Sequence, residues 1–364
     1  MHVSTRLSLA IMALTSIASL ARGAQDGIDT LPFKHGRWIF YGKSLGPHRL
    51  AYYLQDGLSG KPRKLLDPDA APGLVPYPPD DFCVSGNARY FCYVVSQTDP
   101  RFEELHVLDI DKGIPLPDVL RWTHFSDIAW VGNGFYYASY TEPTPGQSAS
   151  GYVNQKVFYH RLGTPQDQDQ LVYQDPAHPT QFYTFLTTFD EKTLILHISD
   201  RSTGHRGNAE YVRHGGPIDG PFTTIEPSIT DGRFFLCDNI GRSLLMFTTY
   251  RAPKGRVILV DPENPSEAEW KTVVPEGNGE LESADTAGGK LFLTYKVSDT
   301  DAKVLVCNLE GHVENELPVP RPSVVDLHWG RSQDRYVFVS VKYGTEPKKL
   351  FRYVVASKKL VPFP

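Results

Sequence analysis

Only three methionines and four cysteines occur in 364 residues. Four cysteines are too few to staple a chain of this length into a disulfide scaffold. No C-x-x-C pair and no Cys/His cluster with zinc spacing is present, so no metal is expected. Positive charge is not in excess either: Lys+Arg 37 against Asp+Glu 42 leaves −5. That balance argues against a nucleic-acid or anionic-membrane partner. Past the N-terminus no apolar run reaches the roughly 18 residues that a membrane helix needs. Helical 3.6-residue periodicity is almost missing, which excludes a helix bundle and alternating βα units. No H-E-x-x-H frame, phosphate-cradling glycine loop or dinucleotide fingerprint occurs, so no cofactor is expected.

What the chain has is aromatic residues and turns. Aromatics make up 12%, with 19 Tyr and 19 Phe, and Gly 30 and Pro 29 supply the turns. Aromatic side chains suit a pleated, half-buried surface, and glycine and proline punctuate short strands. Runs such as Tyr90–Ser96, Leu105–Ile110, Phe135–Tyr140, Leu194–Ile198, Val257–Asp261 and Arg335–Val341 read as strands. Ser85-Gly86-Asn87, Gly132-Asn133-Gly134, Asp231-Gly232 and Gly288-Gly289 read as the turns between them. These runs group into units near 33–67, 81–122, 125–175, 182–227, 229–276, 281–320 and 323–364. The mean pitch is about 47 residues, close to that of a four-stranded propeller blade. Seven units stacked radially cover each other's faces without long exposed edges. The expected fold is all-β, a seven-bladed β-propeller over residues 25–364.

The first 24 residues stand apart. Arg6 precedes the apolar stretch Leu7 to Ala21, and small residues lead into Gln25-Asp26. This pattern reads as a secretory signal peptide, so a secreted or periplasmic location is expected. In an oxidising compartment Cys83 and Cys92, which flank the Ser85–Ala88 turn, could bridge. Buried free thiols are the reading that fits better.

Three motifs have catalytic look-alikes. Gly42-Lys43-Ser44-Leu45-Gly46 fits the G-x-S-x-G nucleophile elbow, but an elbow needs a helix after the serine. Here Pro47 and the strand Leu50–Leu54 follow, so a hairpin turn is expected. The stretch from Gly146 to Gly151 reads as a surface loop, and His214-Gly215-Gly216 as a turn. From its own residues the chain has no catalytic centre.

One stretch carries a family resemblance. Phe125-Ser126-Asp127-Ile128-Ala129-Trp130, then Gly134-Phe135-Tyr136-Tyr137, then Asn154 to Thr164 (NQKVFYHRLGT) closely resembles the propeller of prolyl oligopeptidases. Leu50 to Asp56, Leu66-Asp67-Pro68 and Trp270 to Glu276 continue the likeness, which runs from about Phe33 to the C-terminus. Members of that family are serine endopeptidases that cut short peptides after proline. Their propeller is inserted into an α/β-hydrolase domain that supplies the Ser, Asp and His. The sequence here ends at Pro364, where the resemblance implies that the hydrolase would begin, so no triad can be carried over. A nucleophile without its base and oxyanion donors is inert at neutral pH.

The resemblance also implies a substrate-side face. Phe125 matches an aromatic on that side, although packing against the next blade reads equally well. The family places an arginine soon after the strand matching Leu194–Ile198, but Ser199 stands at that position here. Arg201 or Arg206 in the following loop could take the role, and a solvated loop arginine is the plainer reading. The implied function is a non-catalytic gating module that binds a peptide or a separately encoded α/β-hydrolase chain. The alternative is the propeller part of a serine-type prolyl endopeptidase whose catalytic domain lies elsewhere.

Overall fold

Strand formation follows from alternation. In the strand Tyr90–Ser96, Phe91 and Tyr93 pack into one hydrophobic cluster while Cys92 and Val94 pack into another on the opposite side. Successive side chains leave a strand on opposite faces, so a sheet apolar on both faces must be covered on both. The computed structural model describes residues 28–80, 83–99, 101–124, 126–142, 152–218 and 220–363. Among them there is no α-helix, only short 3-10 turns between strands. The strands form antiparallel meanders, each ordered as in the sequence, which are the blades: 33–66, 90–123, 128–173, 182–226, 234–274, 280–316 and 323–362. The chain is a seven-bladed β-propeller, as its repeat pitch predicts.

Seven buried clusters fill the seven seams between blades. The one between blades 3 and 4, for example, joins Ala129, Tyr136 and Val157 to Tyr183, Leu196 and Ala209. First strands of neighbouring blades touch each other, as Ile128–Val131 and Phe182–Thr187 do, so they ring a central channel. Because strands alternate in direction, one end of the ring collects the hairpins joining first to second and third to outer strands. This end is the lower face. The opposite, upper face collects the turns joining second to third strands and the links between blades.

One departure from the sequence expectation stands out. Blade 2 is a three-stranded sheet, and where an inner strand is expected only the single bridges Val84↔Phe91 and Leu74↔Val95 occur. Pro76, Pro78 and Pro79 in that segment lack the N–H groups a ladder requires. The phenol of Tyr52 compensates by donating near the carbonyls of Val75 and Tyr77, at 3.1 and 2.9 Å. The ring is not closed by strand exchange: blades 1 and 7 are separate sheets. Their seam is sealed by Ile28, Ile39, Tyr41, Phe338, Leu350 and Phe363, with the Lys34–Asp334 ion pair on the lower face.

All four cysteines are buried free thiols. Cys83 packs in the seam between blades 1 and 2 and Cys92 in the seam between blades 2 and 3. They leave blade 2 on opposite sides, which disfavours a bridge between them. Burial pushes both thiols well above their ordinary range, and it pushes Cys307 up to about 11. Folded protein at pH 8 is therefore expected to react negligibly with a thiol-specific disulfide reagent, and all four thiols should titrate in urea. Fewer than four in urea would reveal a bridge.

The presumed leader, residues 1–24, lies outside the described residues.

Candidate functional site

The upper face is where the sequence places its candidate residues. Arg201 stands in the turn between the second strand of blade 4 (Thr193–Ser199) and the third (Ala209–His214). Asp200 caps this turn: its carboxylate accepts from Ser202 N, Ser202 Oγ and Thr180 Oγ1 at 2.9, 2.6 and 2.9 Å. Burial works against the Asp200 carboxylate, but these hydrogen bonds outweigh it and hold the group below the usual range. Gly204 closes the turn at φ +81, a left-handed conformation that glycine adopts without strain. Gly207 then lets the turn approach blade 5 closely, since a Cβ there would stand 1.9 Å from the Gly232 carbonyl.

So anchored, Arg201 is presented to solvent. Its guanidinium lies 5.2 Å from the Phe182 ring centroid, and among the described residues it forms no ion pair. It is an exposed cation on a turn capped by Asp200. Arg206, the other candidate in this loop, is also exposed; its N–H donates to Asp231 at 3.1 Å.

Phe125 lies outside the described residues. A group of rings missed by sequence reasoning comprises Phe102, Trp122, His124, Tyr140 and Tyr152. His124 stacks on Tyr152 at 3.9 Å, and Phe102 contacts Trp122, Tyr140 and Tyr152 at 5.5 to 6.2 Å. Trp122 has φ +61, an outlier for a bulky residue. Burial lowers His124 to about 4, so its imidazole is neutral at physiological pH. Arg101 lies 5.7 Å from the Phe102 ring and is paired with Asp99, whose carboxyl it holds down to about 2. This aromatic group and Arg201 occupy neighbouring blades of one face without joining one cluster.

Beneath that face, three polar residues tie blades 3, 4 and 5 together. Asp127 accepts from Phe185 N at 3.0 Å, and Gln155 accepts from Tyr183 N at 2.7 Å. Asn208 accepts from Phe234 N at 3.0 Å. His197 bonds Glu210 in the same layer, where the carboxylate raises the imidazole pKa against the effect of burial.

Two of the three catalytic look-alikes fall among the described residues, each near the end of a strand. Ser44 ends a hairpin formed by Trp38–Gly46 and Arg49–Asp56, and its hydroxyl lies 3.3 Å from the Gly46 carbonyl. His214 lies 2.8 Å from Thr193 Oγ1 at the end of a strand. The Gly146–Gly151 stretch is outside the described residues. His106, His160, His178 and His197 each bond a carboxylate, and among the described residues none of the four bonds a hydroxyl or thiol. Among the described residues no group of three or more His, Cys, Asp or Glu could hold a metal ion, and no helix is long and apolar enough to cross a membrane.

Comparison with known proteins gives the same fold a lineage. The chain is 26% identical over 332 residues to a prolyl endopeptidase of Elizabethkingia meningoseptica, covering 90% of this chain and 46% of that protein. It is 27% identical over 361 residues to prolyl oligopeptidase A of Galerina marginata, covering 88% of this chain and 47% of that one. A solved structure from work on inter-domain dynamics in two prolyl endopeptidases superimposes with TM-score 0.80 at 27% identity, over 92% of this chain and 48% of that one. Prolyl oligopeptidase B of Galerina marginata shares the fold with TM-score 0.82 at 17% identity. The chain thus spans about half the length of the curated relatives it matches. The family described as the N-terminal β-propeller domain of prolyl oligopeptidase matches residues 20–363, and the chain belongs to it.

Proposed function

We propose that this chain is a non-catalytic gating module whose upper face binds a peptide or docks a separately encoded α/β-hydrolase chain. The observation that carries this reading is the state of its histidines. Among the described residues four imidazoles bond carboxylates and none of these bonds a hydroxyl or thiol, while His214, which meets the Thr193 hydroxyl, pairs with no carboxylate. Amide hydrolysis needs an activated nucleophile and preorganised oxyanion donors together. What the upper face offers instead is an exposed cation at Arg201 by the Phe182 ring and, on the neighbouring blades, an aromatic group, features suited to a peptide carbonyl and an apolar side chain. Export through the leader is part of the same proposal.

The purified chain is expected to show no turnover of a fluorogenic Gly-Pro peptide and no covalent labelling by a serine-directed phosphonate. Phosphonate-sensitive turnover by the monomer would overturn the reading. The half-length match to prolyl endopeptidases favours a second reading, in which the chain is the propeller part of such an enzyme. Activity that appears only when a hydrolase chain is added would select it. Arg201→Ala is expected to leave stability within about 0.5 kcal/mol, as for an exposed side chain without an ion pair, while weakening peptide or partner binding in a titration. Unchanged binding would remove Arg201 from the site.

A further inference from the structure

The lower mouth of the central channel is crossed by a contact between blades that are not neighbours. Phe189 sits at the tip of the hairpin joining the first and second strands of blade 4. The guanidinium of Arg331, from the corresponding loop of blade 7, lies 5.5 Å from the centroid of that ring. Blades 5 and 6 intervene on one side of the ring, and blades 1, 2 and 3 on the other. A contact between blades so far apart has to pass across the axis.

The same hairpin is tied down in the opposite direction. Gly132 N–H, in the lower hairpin of blade 3, donates to Glu191 Oε2 at 2.9 Å. Glu191 Oε1 rests on Gly86, in the corresponding turn of blade 2, so closely that a Cβ built on Gly86 would stand 1.9 Å from it. Arg331 is secured as well: its Nη2 lies 3.2 Å from His35 Nε2 of blade 1, and its carbonyl accepts from Gly288 N of blade 6. One hairpin tip therefore meets blades 2, 3 and 7 directly, and blades 1 and 6 through Arg331.

We propose that the blade 4 hairpin is a bolt across the lower mouth, which leaves the channel a one-ended cup loaded only from the upper face. The cation over the ring and the glutamate in its two turns hold the bolt from opposite sides, so opening requires both to let go. The loading direction rests on the peptide-binding reading above; the bolt does not.

The test is a cysteine pair, Phe189→Cys with Arg331→Cys, treated with a short bismaleimide. The four native thiols are buried, and burial pushes Cys83, Cys92 and Cys307 up, so they do not compete. The expected result is a mass increase of one linker per monomer, with loss of both new thiols and a digest peptide joining the two loops. Full labelling by a monofunctional maleimide without cross-linking would overturn the bolt. Should that pair fail to fold, Gly86→Cys with Glu191→Cys probes the other anchor and leaves Phe189 and Arg331 in place, with the same two outcomes. A fluorescein-labelled Gly-Pro decapeptide then tests the direction. Equal affinity for cross-linked and untreated protein is expected, and a loss of about tenfold or more on cross-linking would overturn entry from the upper face. Binding to neither form would count against the peptide-binding reading, and the cross-link alone would then decide the bolt.

Discussion

Replacing His160 with alanine is expected to destabilise the propeller by roughly 3–5 kcal/mol, read as a fall in its urea midpoint. Both nitrogens of this fully buried ring face carboxylates, Nδ1 at 2.7 Å from Asp169 and Nε2 at 3.0 Å from Asp118. A carboxylate accepts hydrogen bonds, so two of them flanking one ring favour a proton on both nitrogens, the imidazolium form. Asp118 belongs to the outer strand of blade 2 and His160 to blade 3, so the cation holds two blades together. Gly163 N–H also donates to Asp118, and the Tyr137 hydroxyl to Asp169. Alanine would leave two buried carboxylates without the charge between them.

The same cation sets a pH dependence. Burial opposes the charged ring, but its hydrogen bonds to Asp169 and Asp118 outweigh it, and the pKa in the fold is raised. A raised folded value means that stabilisation is complete below about 6.5, the unfolded value, and drains as pH climbs through the folded one. The wild-type midpoint should fall on the alkaline side, and the His160→Ala curve should be flatter there. Parallel curves for the two proteins would show that His160 is not the titrating group.

Phe338→Ala is expected to cost a similar amount, roughly 3–5 kcal/mol, but with a different signature. Phe338 packs against Phe363 at 4.9 Å and Tyr336 at 5.4 Å in the seam between blades 7 and 1. That seam has six buried apolar members among the described residues, where the seam between blades 1 and 2 has fifteen. Nor does a link between successive blades cross it, as one does at each of the other six seams. Limited proteolysis of the variant should therefore begin at blades 1 and 7 before the other blades become sensitive. Cleavage that starts in blades 3 to 5 would show that the seam is not the weak point.

The blades were legible because each is built from local signals. Turns such as Gly132-Asn133-Gly134 and alternating runs such as Phe91 to Val94 are read within a few residues. The inner edge of blade 2 was not, since Pro76, Pro78 and Pro79 break a ladder that the neighbouring repeats lead one to expect. The functional features are legible only in part because they are non-local. Arg201 announces itself as a charge in an extended loop, but the Phe182 ring beside it and the Asp200 cap are products of folding. The aromatic group around Tyr152 draws its members from two blades. His160 finds Asp118 across 42 positions of sequence, a pairing that no spacing rule anticipates.

The seam between blades 7 and 1 also fixes where the chain enters and leaves. Ile28 and Phe363, near the two limits of the described chain, are buried in the same cluster. A fold whose ends meet can be spliced into a surface loop of another protein with little loop-closure cost, because the host backbone need not be spread to admit it. The two linkers of such an insertion would emerge side by side, at the one seam that no link between successive blades crosses. Any tug from the host would then be felt as a force prising blade 1 from blade 7, rather than as a strain shared around the ring.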